Sequence, residues 1–90
     1  MAEQLLKVTS ESGVHARPAT KLINKASQYS SDLTIESNGK HANLKSIMGV
    51  MAMGIQQGAV VKVTARGSDE EDALTGIAEV FISEGLGEKQ

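Results

Sequence analysis

Apolar residues recur along this chain with two periods, and the switches between them divide it into elements. Over residues 4–9 they alternate, with Leu6 and Val8 on one face and Leu5, Lys7 and Thr9 on the other, which predicts a half-buried strand. Ala19, Leu22, Ile23 and Ala26 then fall three and four apart. Pro18, with no backbone N–H, suits a first helical turn, so a helix is predicted over residues 16–27 with Lys21, Asn24, Lys25 and Gln28 turned to water. Tyr29-Ser30-Ser31-Asp32 breaks that pattern with side chains that compete for local hydrogen bonds.

Residues 33–37 alternate again, Asn38-Gly39 is a hairpin signal, and residues 40–43 supply a short return strand. Residues 60–65 form the most strand-like run, with Val61, Val63 and Ala65 on one face. Ser68-Asp69-Glu70-Glu71 matches a capping box, which reads the acidic run of residues 69–72 as a solvated helix start. Leu74, Ile77, Ala78 and Phe81 continue as a helical stripe that Gly85 ends. Residues 86–90 are expected to be a frayed tail. Strands with one apolar face and helices with one apolar stripe fit two layers, a four-stranded sheet covered by helices on one side.

The middle segment, residues 45–54, follows neither period cleanly. Ser46 suits an N-cap and Gly54 a terminus, so a short helix is predicted. On it Ile47, Met48, Met51 and Ala52 share one arc, and Gly49, Val50 and Met53 share the opposite one. Both arcs are apolar, whereas a helix lying on a sheet buries only one. The first arc is therefore expected to be an exposed, methionine-rich docking surface. Ser46 reads either as a cap alone or as a phosphorylation site, where a phosphate would meet the helix amides and Lys45.

Composition narrows the function classes. Ninety residues fit one domain, taken as residues 1–90. No cysteine is present, the charge is −2 from 9 basic and 11 acidic residues, and Tyr29 and Phe81 are the only aromatics. Neither a basic footprint nor a stacking platform for nucleic acid is visible. No metal-ligand cluster and no glycine-rich nucleotide cradle occurs, so no metal and no cofactor are expected. No apolar run approaches a membrane span and no signal peptide is evident, so a cytoplasmic protein without membrane contact is expected. His41, in the return strand, reads as a solvent-facing residue with no acid or base partner.

The most chemically loaded stretch is Ser12-Gly13-Val14-His15-Ala16-Arg17-Pro18-Ala19-Thr20. It puts His15 and Arg17 at a helix N-terminus, where free N–H groups and the helix dipole favour an anion. A neutral imidazole there can attack phosphorus, and the phosphoryl group would meet amide donors and a guanidinium. On residue types alone the other reading, a histidine in a loop before a helix, stands equally.

Gly13-Val14-His15-Ala16-Arg17-Pro18-Ala19 together with Leu44-Lys45-Ser46-Ile47-Met48-Gly49-Val50-Met51 closely resembles the HPr family, the histidine-containing phosphocarriers of the bacterial phosphoenolpyruvate:sugar phosphotransferase system. The resemblance is to the Gram-positive type and covers nearly the whole chain. It implies an α+β open-faced β-sandwich, in the order βαββαβα, with a four-stranded antiparallel sheet and three helices on one face. It implies that the chain is a carrier and not an enzyme. His15 would take a phosphoryl group from enzyme I and pass it to EIIA domains of sugar permeases, with Arg17 stabilising charge. Ser46 would be the regulatory serine of HPr kinase/phosphorylase, the phosphorylated form joining the regulator CcpA in carbon catabolite repression. Thr20, Ile47, Met48 and Met51 would belong to the docking patch of a monomer. His41, the Ala52-Met53 pair and Gln56-Gln57 depart from the family pattern and put partner preference in question. The alternative is a purely regulatory corepressor of the Crh type acting through Ser46. Because Crh lacks the active-site histidine, His15 argues against it.

Overall fold

A computed structural model describes residues 1–90. Strand β1 (Ala2–Val8) leads to helix α1 (Ala16–Ala26), then to the hairpin of β2 (Asp32–Ser37) and β3 (Lys40–Asn43). Helix α2 (Ile47–Ala52), strand β4 (Val60–Arg66), helix α3 (Glu70–Ser83) and strand β5 (Gly87–Lys89) complete the order. One antiparallel sheet is ordered β3-β2-β4-β1-β5. The structure is α+β, an open antiparallel sheet with three helices, as the sequence implies.

The period-two residues set the register. Leu6 stands opposite Val61, Ile35 opposite Val63 and Leu33 opposite Ala65, and all six are buried. Their neighbours Leu5, Lys62, Glu36 and His41 line the other, open face. A core of 22 buried residues fills the space between sheet and helices, with Phe81, Leu22 and Ile77 coming from the helical layer. At the hairpin Asn38 and Gly39 both have positive φ, 53° and 79°, the backbone a two-residue turn needs.

Three local expectations are corrected. The sheet has five strands, because residues 86–90 do not fray. Leu86 N–H donates to the Phe81 carbonyl (3.0 Å) beyond the end of α3, which buries Leu86 completely and aims the chain back along β1. The capping box at Ser68 does not form. Asp69 is the N-cap residue of α3, and Glu70 reaches back to Gly67 N–H (3.2 Å) one residue earlier than expected. His41 does have an acid nearby. Glu36 faces it across the hairpin and also lies 3.3 Å from Lys62 Nζ.

Candidate functional site

His15 is the N-cap residue of α1, extended at φ −103° and ψ 175°, and its side chain makes no cap hydrogen bond. Its carbonyl accepts from Ala19 N–H at 3.0 Å. Pro18 has no donor, and the Ala16 and Arg17 amides find no acceptor in the chain. No acidic residue occupies the first turn. Two free N–H groups and the positive dipole end thus stand beside an exposed imidazole.

The loop is exposed but held on both sides. Val14 is buried and its N–H donates to the Ile55 carbonyl (3.0 Å), while Pro18 and Ala19 are buried on α1. Gly13, at φ 65°, is pressed against that same Ile55 carbonyl, and any side chain there would run into it. Thr9 and Ser10 amides both donate to the Leu86 carbonyl, and Gln57 Nε2 donates to the Thr9 carbonyl at 3.1 Å. His15 is therefore the exposed crest of an anchored loop. Its buttress at residues 55–57 lies some 40 positions further along, and nothing in the local spacing announces it.

Arg17 and Thr20 are exposed on the first turns of α1. Arg17 forms no ion pair and no hydrogen bond, so its guanidinium is free for an incoming anion. Thr20 Oγ1 donates back to the Ala16 carbonyl at 2.9 Å, which leaves its methyl and oxygen at the surface. Further along, Lys21 pairs with Glu84 (3.4 Å) and Lys25 lies over the Tyr29 ring (5.8 Å).

Helix α2 packs against α1 and β3. Val50 and Met53 are buried (1% and 7% exposed), whereas Ile47, Met48 and Met51 are 36%, 79% and 39% exposed. The two arcs thus divide as their positions on the helix require: one faces the core, the other forms an apolar surface with no partner. Ser46 accepts from Gly49 N–H at 3.1 Å and so caps α2. Lys45 Nζ donates to the Tyr29 carbonyl just beyond α1 (2.8 Å), which fastens the start of α2 to the end of α1.

These contacts fix the relative direction of the helices. Ile55, after α2, is bonded to Val14, before α1, while Lys45, before α2, is bonded to Tyr29, after α1. The two helices run antiparallel. Ser46 is therefore at the far end of α2 from the Ile55 carbonyl that supports the histidine loop, beyond a helix of six residues that spans about 9 Å. The structure groups Ile47, Met48 and Met51 with Ser46 on one short helix, His15 and Arg17 with Thr20 on another, and separates His15 from Ser46.

Asp69 is a residue whose work the sequence did not reveal. Its carboxylate accepts from the Ser30 N–H (2.9 Å), the Ser31 N–H (3.0 Å) and the Ser31 hydroxyl. The hydroxyl first, then the amides, lower its pKa to about 2. Glu70 is also held below the ordinary glutamate range, by the Gly67 amide and by the terminal amine of Met1, 3.1 Å away. Both residues close the end of the molecule remote from His15. No group of three or more histidine, aspartate or glutamate side chains is placed to hold a metal ion, and no helix is long and apolar enough to cross a membrane.

Known proteins share this fold. Residues 2–83 match the family model described as the PTS HPr component phosphorylation site. A histidine-containing phosphocarrier protein from Mycoplasma superposes with a TM-score of 0.94 at 42% identity, over 96% of this chain and 98% of that one. HPr from Thermoanaerobacter tengcongensis is 40% identical over the full length of both chains, with a TM-score of 0.87. The Bacillus subtilis catabolite-repression protein Crh, a swapped dimer, is 37% identical over 96% of this chain and 99% of that one, with a TM-score of 0.73. The fold, the match along residues 2–83 and the likeness to these carriers place the chain in the HPr family of phosphotransferase-system phosphocarriers.

Proposed function

We propose that this protein carries a phosphoryl group on His15 between enzyme I and the EIIA domains of sugar permeases, and that Arg17 and the free amides of α1 hold the charge. The observation that carries this reading is the uncapped, acid-free N-terminus of α1, exposed yet anchored, with an unpaired arginine two residues on. The ring lone pair forms the new P–N bond as the donor's P–N bond breaks, and that bonding pair returns to the donor imidazole. Both transfers need in-line approach of a histidine on another protein, which an exposed crest permits and a cleft would not. The chain is thus a substrate of its partners and not a catalyst.

Partners are held by Thr20, Ile47, Met48 and Met51, and the monomer leaves this surface free. Ser46 is the site of the ATP-dependent HPr kinase/phosphorylase, and its phosphorylated form serves CcpA. A phosphate on Ser46 Oγ would sit at the start of α2 beside the exposed Ile47 and Met48. It acts on docking, since it is a helix length away from the imidazole.

The test is the intact mass after incubation with phosphoenolpyruvate and enzyme I, before and after brief acid treatment. A phosphoryl increment that acid removes supports the carrier, because a P–N bond is acid-labile and a phosphoserine ester is not. No increment, alongside an acid-stable one from ATP and the kinase, would leave Ser46 as the working residue. That is the second reading, a Crh-like regulator, and the likeness to Crh is what favours it.

A further inference from the structure

A groove of about 530 Å³ lies between the hairpin turn at Asn38-Gly39 and the loop joining α2 to β4. The proposed carrier function makes no use of it. Asn38, Lys40, Gln56 and Gln57 supply its polar lining, and Met53 and Val60 part of its apolar lining; no aspartate or glutamate borders it. Lys40 has no ion-pair partner in the chain. The backbone N–H groups of Ile55, Gln56 and Gln57 find no acceptor in the chain either. The Ser37 hydroxyl at its edge is already spent on the Val60 carbonyl (3.0 Å).

A groove of this size with Asn38 and Gln56 in its lining, one free cation and no anion of its own is matched to a small ligand of opposite character. It would accept an anionic head that takes hydrogen bonds and pairs with an ammonium, and an apolar remainder that rests on the exposed Val60. An adjoining cleft, lined in part by His41 and Ala52, shares Lys40 and Met53 with it.

We propose that this groove binds a small organic anion, a phosphate monoester or carboxylate with an apolar tail, with Lys40 as its charge partner. The same loop carries the Ile55 carbonyl that receives the Val14 amide, so the bound anion abuts the support of the histidine loop. Binding here is independent of whether His15 is phosphorylated.

The test is an amide-resolved NMR titration of the full-length protein with phenyl phosphate, against phenol and inorganic phosphate as partial probes. The expected result is saturable shifts at Lys40, Ile55, Gln56 and Gln57, weaker for either partial probe. Lys40→Gln should lower the affinity roughly threefold, as loss of one exposed charge pair does, and Met48→Asp should leave it unchanged. Shifts that do not saturate, shifts centred on Ala16 and Arg17, equal binding of phenol, or an unaltered affinity in Lys40→Gln would each overturn the proposal.

Discussion

The N-termini of α1 and α3 present the same backbone problem and resolve it in opposite ways. At α3 the chain supplies its own anions: Glu70, Glu71 and Asp72 fill the first turn, Glu70 takes the Gly67 amide, and Asp69 ties down Ser30 and Ser31. At α1 it supplies none, and two amides and a guanidinium are left facing solvent next to an imidazole. The helix that neutralises its own positive end is structural. The helix that leaves that end open has a place for an anion brought from outside. The third start, at α2, lies between these cases, with no acid in its first turn but capped by the Ser46 hydroxyl.

The largest expected effect comes from removing the nucleophile. His15→Ala should abolish phosphoenolpyruvate-dependent labelling while leaving the melting temperature nearly unchanged, because the ring is exposed and bonds to nothing; labelling of that variant would refute the site. Arg17→Ala should slow acceptance by roughly tenfold, as loss of one charge-assisted contact to a phosphoryl oxygen does. Stopped-flow transfer from phosphorylated enzyme I measures it, and an unchanged rate would leave the amides as the sole anion donors.

Ser46→Asp should slow transfer by a few-fold, chiefly as a weaker apparent affinity for enzyme I, since the new charge borders the α2 surface and not the imidazole. A fall in the maximal rate with unchanged affinity would place the effect at His15 instead. Ala16→Glu makes α1 resemble α3. It should raise stability by about 0.5 kcal/mol through the dipole and yet slow phosphoryl acceptance, so thermal melts and transfer rates should move in opposite directions.

The smallest effect on transfer belongs to Asp69→Asn, which should leave labelling intact and change the acid limb of stability. The folded pKa of Asp69 lies below its unfolded value, so its contribution is complete above the ordinary aspartate range. It is lost as pH falls toward about 2. Glu70 works in the same direction. The variant should melt a few degrees lower at neutral pH and show a flatter loss of stability on acidification; an unaltered acid limb would mean that the serine bonds carry no stability.

How legible all this was depended on how local each cause is. The alternation of Leu6 and Val8, the Asn38-Gly39 turn and the stripe from Leu74 to Phe81 each act within a few residues, so spacing revealed them. So did the histidine at a proline-marked helix start and the division of α2 into two apolar arcs. Capping was less legible. Ser68-Asp69-Glu70-Glu71 has the letters of a capping box, but Asp69 forms stronger bonds to Ser30 and Ser31, nearly forty residues earlier, and the cap moves with it.

By itself, then, the sequence determined the periods of α1 and α3 and of three strands, the hairpin that returns as a fourth, the residue types at His15, Arg17 and Ser46, and the apolar character of Ile47, Met48 and Met51. Tertiary structure alone decided that the last residues form β5, because the pairing partner is β1 at the other end of the chain. It alone decided that Lys45 reaches the carbonyl at the end of α1, that Ile55 supports the histidine loop, and that His15 and Ser46 stand at opposite ends of an antiparallel helix pair. Local patterns report on bonds within a turn or a strand pair joined by a short loop. Bonds that close over forty or eighty residues depend on where the packed core brings the chain together.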